Sequence, residues 1–269
     1  MAITALHSAA SGLRALSTQI DVVANNLANA DTNSFKASRV NFEDLYYQTI
    51  KEPGTVSSNG DVSPSGLYVG LGTRVSNTQL DMSQGSLTQT GGNLDVGIQG
   101  NGFFRVKVLN GVGDGTAYTR NGNFFQNKNG DLIVGMGDGY ELVPPVNIPP
   151  GVTNITISTD GFITGIKPGS NAASQIGQLK LTQFVNPQGL KLLGGSLYQE
   201  TPSSGPPIVS NPGDQGSGQV LQNFLEASNV DPVNELVTLI KTQRAFELNS
   251  QSIQTADQAL QTITNMKRS

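Results

Sequence analysis

Leu6, Ala9, Leu13, Leu16, Ile20, Val23, Leu27 and Ala30 step along the chain by three and four residues in strict alternation. An apolar repeat of 3.5 residues held for more than three heptads is a helical seam, and it excludes a strand, whose side chains alternate with period two. At about 1.5 Å per residue the helix spans roughly 40–45 Å. Its other faces carry Ser8, Ser11, Ser17, Thr18, Gln19, Asn25, Asn26 and Asn29, and Arg14 and Asp21 are the only charged side chains before Asp31. Neutral polar groups lose less on leaving water than Lys or Glu. Such a helix can therefore meet a second surface on faces other than its seam.

The C-terminus mirrors this pattern. Asp231-Pro232 offers an N-cap followed by proline at the first helical position, where the missing N–H does no harm. Leu239, Phe246, Ile253, Ala256, Leu260 and Ile263 then fit a second seam, interrupted by Thr242 and Asn249. Val233, Leu236, Val237 and Ile240 widen its apolar face near the start, and Lys267 and Arg268 suit the negative end of the helix dipole. Two seams need partners. The two helices can pair within one subunit, and the uncharged outer faces favour association between subunits in addition.

Between the helices the texture changes. Eight Asn-Gly or Asp-Gly pairs begin at Asn59, Asn101, Asn110, Asp114, Asn121, Asn129, Asp138 and Asp160. Both residue types tolerate positive φ, so these pairs predict tight hairpin turns. Apolar or alternating runs at Phe103–Val108, Asp131–Val134, Ile155–Ile157, Phe162–Ile166 and Ile176–Phe184 predict strands of an antiparallel β domain. Residues 51–75 and 201–219, rich in Gly, Pro and Ser, are expected to be irregular connections. The expected fold is mixed α and β. Long terminal helices pair as a coiled-coil-like core domain (1–35 and 225–269). An extended linker or intermediate domain (36–95 and 201–224) joins them to a β-rich domain (96–200).

Composition excludes several functions. With 16 Lys and Arg against 20 Asp and Glu, net charge −4 and pI near 5.0, the chain lacks the clustered basic groups that nucleic acid or an anionic membrane requires. It has no cysteine and one histidine, His7, which lies within the first seam-forming helix, so disulfides, zinc-thiolate sites and a His-based triad are not expected. Gly97-Ile-Gln-Gly100-Asn-Gly102 and Gly135-Met-Gly137-Asp-Gly139 lack the full dinucleotide fingerprint. Asn127-Lys-Asn129-Gly130-Asp131 is too incomplete for a calcium loop, and Asn154-Ile-Thr is a lone glycosylation sequon of the kind chance supplies. No catalytic site, metal or cofactor is expected. No run of about 18 apolar residues exists to cross a bilayer. The N-terminus lacks a basic region followed by an apolar stretch, so no cleaved signal peptide is expected.

Longer stretches carry a resemblance. Asp21-Val-Val-Ala-Asn-Asn-Leu-Ala-Asn-Ala-Asp-Thr-Asn-Ser-Phe-Lys36 resembles the N-terminal signature of bacterial flagellar rod and hook proteins. Glu226-Ala-Ser-Asn-Val-Asp-Pro-Val, Gln243-Arg244-Ala-Phe-Glu and Thr255-Ala-Asp-Gln-Ala-Leu260 resemble their C-terminal signature. Leu94-Asp-Val-Gly-Ile-Gln-Gly-Asn-Gly-Phe-Phe-Arg-Val106 and Tyr118-Thr-Arg-Asn-Gly-Asn-Phe124 match the middle motifs of that family. The resemblance runs in order over essentially the whole chain. Phe42-Glu-Asp-Leu-Tyr-Tyr-Gln-Thr-Ile-Lys-Glu-Pro-Gly54 and Pro64-Ser-Gly-Leu-Tyr-Val-Gly70 look like the stretch associated with a straight distal rod, and the length suits a rod subunit better than the hook protein. One departure is Ser34, where the family usually has glycine.

The resemblance implies a structural subunit that is exported unfolded through the type III apparatus and polymerises helically across the periplasm. Its partners would be copies of itself, proximal rod proteins, the hook protein, the peptidoglycan-ring and outer-membrane-ring proteins and the rod cap, with no nucleic acid and no membrane insertion. Assembly residues would be Leu6, Leu13, Leu16, Ile20, Val23, Asn25, Asn26, Leu27, Asn29, Leu239, Phe246, Ile253, Leu260 and Ile263. The rod-specific stretch would be Tyr46, Tyr47, Gln48, Thr49, Ile50, Lys51, Glu52, Pro53 and Gly54. Another rod or hook-like subunit is the near alternative, and a β-rich binding module or enzyme the distant one.

Overall fold

The computed structural model describes residues 2–54, 64–108, 115–135, 139–169, 172–214 and 216–266, without the side chains of residues 2, 3, 263 and 264. The expected seam contact of Ile263, the charges of Lys267 and Arg268, residues 55–63 of the first irregular stretch, and the turns beginning at Asn59, Asn110, Asp114 and Asp138 lie outside the described residues.

The chain divides into two compact units: Met1–Ala28, Ser38–Leu80 and Asp231–Ser269 form unit 1, and Asn29–Ala37 with Asp81–Val230 form unit 2. Unit 1 contains α1 (Ala2–Ala28) and α2 (Pro232–Met266), the two α-helices among the described residues. Alanine, the strongest helix former, recurs through α1. Asp231 caps α2, its carboxylate accepting from the backbone N–H groups of Val233 (3.0 Å) and Asn234 (3.3 Å). The helices are antiparallel: Asn26 of α1 donates to Glu235 at the start of α2, and Gly12 lies against Asn249 further along. Ser38–Asp44 pairs with Thr73–Leu80, and Tyr47–Lys51 with Leu67–Gly70. Small serines let the backbone at Gly72-Thr73 approach α1, where the N–H of Thr73 donates to Ser11 Oγ (3.2 Å).

The pairing does not make a coiled-coil-like helical core, which corrects that expectation. Among the described side chains, the fully buried apolar residues of α1 are Ala15 and Val23, and the one fully buried residue of α2 is polar, Thr242, whose hydroxyl donates back to the carbonyl of Thr238. Each helix covers one stripe of the other, and a second face of α1 meets a two-stranded sheet rather than further helices. Two stripes in contact, without a further helical layer on the seam, leave it half-buried.

The hydrophobic core belongs to the antiparallel sheets of unit 2, where Val96, Ile98, Phe104, Val106, Leu132 and Val220 lose all or nearly all exposure. A seven-stranded sheet runs in the order Lys191–Gly194, Leu197–Gln199, Thr116–Thr119, Phe104–Lys107, Tyr140–Leu142, Leu132–Val134, Phe124–Gln126. Thr153–Ile157, Phe162–Ile166 and Ala173–Gln178 form a three-stranded sheet. Leu181–Gln183 pairs with Ile208–Ser210, Val96–Gln99 with Gln219–Gln222, and Leu87–Gln89 with Phe224–Glu226. The apolar run Ile176–Phe184 therefore contains the end of one strand and the whole of another. The stretches expected to be irregular contain the strands Leu67–Gly70 and Ile208–Ser210 and the first residues of Thr73–Leu80 and Gln219–Gln222.

The Asn129-Gly130 and Asp160-Gly161 pairs close hairpins with positive φ at glycine. Asn121-Gly122 does not turn a hairpin. It crosses the buried interior so tightly that a side chain at Gly122 would strike the carbonyl of Val96 and the ring of Phe104. Ser34 adopts φ 59° and is buried, its N–H donating to the carbonyl of Glu226 (2.8 Å). A left-handed serine costs about 1 kcal/mol, partly offset by its smaller unfolded-state entropy. Ser34→Gly should therefore raise the thermal midpoint of the monomer by about 1–2 °C in a calorimetric scan. A lowered midpoint would show that the hydroxyl contributes more than the strain costs.

Candidate assembly surface

Among the described residues no group of three or more His, Asp or Glu is placed to hold a metal, and no helix is long and apolar enough to cross a membrane. What unit 1 does present is apolar surface that its own elements leave uncovered.

The N-terminal residues fall into distinct environments. Leu6, Leu13, Leu16, Ile20 and Leu27 are half-buried, Val23 is buried, and Asn25 faces outward. Asn29 is half-buried in unit 2. Asn26, 1% exposed, pairs with the backbone of Ser38 as a strand would: its Nδ2 donates to the Ser38 carbonyl (2.8 Å) and its Oδ1 accepts from the Ser38 N–H (3.0 Å). Its Nδ2 also reaches Glu235 Oε1 (3.2 Å). Burial lifts the Glu235 carboxyl above the usual carboxylate range, opposed by the Asn26 hydrogen bond and reinforced by the charge of Asp231. Asn26 thus serves the chain's own fold, as Ser11 does through Thr73. In α2, Leu239, Ile253 and Leu260 are half-buried and Phe246 is partly exposed.

Two surfaces stand open. On α2, Val233 (69% exposed), Leu236, Val237 and Ile240 (49%) form an apolar face over the first two turns. Their i, i+3, i+4, i+7 spacing places them together. The second surface is the hairpin of Tyr47–Lys51 and Leu67–Gly70, with the adjoining Tyr46. Tyr46 is 89% exposed, and Tyr47, Ile50, Leu67 and Tyr68 are each at least half exposed. Gln48, Thr49, Lys51, Glu52, Pro53 and Gly54 also face outward. A two-stranded hairpin is marginal in water without a third surface. Beside it a cleft of about 510 Å³ is lined by Glu43, Asp44, Leu45, Tyr46, Tyr47 and Arg74. Arg74 pairs with Glu43 across the neighbouring strands, and the Asp44 carboxylate beside Tyr47 lifts that hydroxyl above its ordinary range.

Unit 2 holds a site that spacing alone did not signal. Glu226, at the end of the strand Phe224–Glu226, accepts from Lys36 Nζ on Oε1 (2.6 Å) and from Arg120 Nε on Oε2 (2.7 Å). Lys36 and Glu226 side chains are 0% exposed and Arg120 5%. The three residues lie far apart in sequence. The available signal was scarce charge: each stands inside one of the motif blocks quoted above.

Three family models match the chain: flagella basal body rod protein over residues 6–36, flagellar hook protein FlgE/F/G D1 domain over 97–165, and flagellar basal body rod FlgEFG protein C-terminal over 221–266. The flagellar basal-body rod protein FlgG of Buchnera aphidicola (subsp. Acyrthosiphon pisum) is 45% identical over 264 residues, covering 98% of this chain and all of the relative. FlgG of Caulobacter vibrioides is 41% identical over 98% of this chain and 99% of its own, and FlgG of Borreliella burgdorferi 40% over 98% of each. Identity at that level, held from one end of the chain to the other, places this protein in the FlgG family of flagellar basal-body rod proteins.

Proposed function

We propose that the protein is the structural subunit of the flagellar distal rod. It polymerises helically into a hollow, rigid shaft that transmits torque from motor to hook and forms part of the export channel. Its role is structural rather than enzymatic. The observation that carries this reading is the apolar surface of unit 1, on α2 and on the 46–51/67–70 hairpin, that a lone subunit leaves in water.

On this reading the terminal segments 1–35 and 225–269 make contacts between subunits around the channel. The intermediate segments 36–95 and 201–224 carry the rod-specific stretch 42–70, which wedges between neighbours and resists shear. Residues 96–200 form the β-rich part. Proximal rod proteins, the hook protein, the peptidoglycan-ring and outer-membrane-ring proteins, the rod cap and the type III export apparatus are the proposed partners. The proposed location is the periplasmic span of the rod, reached without a cleaved signal peptide.

The test is replacement of the resident rod subunit in a motile bacterium, followed by electron microscopy of isolated basal bodies. A straight rod containing this chain, ending in a hook, is the expected result. Incorporation into the hook alone, or none while the chain is exported, would overturn the proposal.

A further inference from the structure

The buried charges of unit 2 tie together segments that are remote in sequence. Glu226 Oε1 accepts from Lys36 Nζ and from the N–H of Gly85 (3.0 Å), and Oε2 accepts from Arg120 Nε. Lys36 also donates to the carbonyl of Ser83 (2.6 Å). Arg120 spends its remaining nitrogens on the carbonyls of Gly102 and Gly100 (3.0 Å each). Nearby, the Ala37 N–H donates to Asn229 Oδ1 (2.7 Å), the Asp81 N–H to the Ala37 carbonyl (2.8 Å), and Asn229 Nδ2 to the Asp81 carbonyl (2.9 Å). Three of the four points where the chain passes from one unit to the other, at 37/38, 80/81 and 230/231, fall beside this network in sequence.

A single carboxylate serves two cations here, all three nearly dry. Two buried cations without their anion are strongly unfavourable, because each loses its hydration and they repel one another. Burial and the neighbouring Arg120 charge already push the Lys36 ammonium below its ordinary range, against the opposing pull of Glu226. Lys36 cannot settle into its site while Glu226 is absent.

We propose that Glu226 is a latch: segments 29–37 and 81–85 dock on the β-sheets of unit 2 only once segment 224–230 has taken its place. The three segments then hold or release together. A chain emerging from its N-terminus keeps residues 29–37 undocked until residue 226 arrives. The latch thus couples segments 190 residues apart in sequence through a contact that neither makes alone.

Hydrogen exchange on the full-length chain, resolved by residue, tests this. In Glu226→Gln the amides of Ala37, Asp81 and Gly85 should all exchange at least tenfold faster, while those of 104–107 keep their protection. Acceleration confined to Gly85, whose own acceptor is altered, would overturn the latch. So would equal acceleration through 104–107, which would make the carboxylate a prop for the whole unit. Should Glu226→Gln fail to fold, Lys36→Met leaves the Arg120–Glu226 pair intact. There the amides of Asp81 and Gly85 should again lose at least tenfold, and a change limited to Ala37, next to the substitution, would overturn the proposal.

Discussion

Val237→Asp combined with Ile240→Asp should lower the stability of the free subunit by only about 2 kcal/mol, the worth of the two buried halves, and abolish rod assembly. Both side chains are close to half exposed in α2, so an aspartate at either position remains hydrated in the monomer, and helix propensity falls only by a few tenths of a kcal/mol per residue. In a polymer that covers this face the balance reverses. Burying the exposed half of a Val or Ile contributes about 1 kcal/mol, whereas a carboxylate trapped without a partner costs several kcal/mol. Two such costs exceed what the remaining contacts of that face supply. Urea unfolding of the monomer and counting of rods in isolated basal bodies read the two halves separately. Normal rods built from the doubly substituted chain would remove this face from the assembly surface.

The terminal helices were legible because periodicity is a local property. A seam of period 3.5 needs no knowledge of its partner, and Asp231-Pro232 marks its own boundary. How deeply a seam is buried is not local. Leu13 and Ile253 satisfy the pattern and are half-buried, while Thr242 breaks it and is fully buried, since its hydroxyl is satisfied within its own helix by Thr238. Sequence pattern reports which face turns inward, and the number of layers packed on that face decides how much water is removed. The helical core failed as an expectation on that point.

The rod-specific stretch illustrates the converse. Tyr46, Tyr47 and Ile50 stood out in sequence only through resemblance, since their composition matches any β-strand. The structure adds that they are exposed, which alternation could not supply because both faces of this hairpin meet solvent. Asn26 and Ser11 were legible as uncharged surface and turn out to bind the backbone of their own unit. The Lys36–Glu226–Arg120 network was illegible, because a salt bridge has no periodicity and its members come from an irregular segment, the residue after the strand Thr116–Thr119, and the end of the strand Phe224–Glu226.

Limited trypsin digestion of the free subunit should cut first in unit 1 and leave a resistant fragment bounded by Val75 and Lys241. Arg14, Arg39, Lys51, Arg74, Lys241 and Arg244 are all exposed in unit 1. Among the described side chains, the helices that carry three of them bury two apolar residues fully in α1 and none in α2. Little holds these turns closed. Helices of this kind gain most of their stability from packing rather than propensity, so they open locally at low cost. Unit 2 differs by its continuous core, in which the loss of one large side chain such as Phe104 to alanine would cost about 3–5 kcal/mol. Its exposed sites, Lys107 and Lys128 among them, lie on or beside strands that must open with that core before a protease can bind them. Lys36, buried against Glu226, should resist cleavage although Arg39 three residues on does not. In assembled rods the same bonds of unit 1 should resist trypsin for at least tenfold longer, because neighbouring subunits cover the helices. Equal cutting rates at Arg14 and Lys128 in the monomer would mean that both units open as one, and that the exposed faces of unit 1 carry no deficit for assembly to repair.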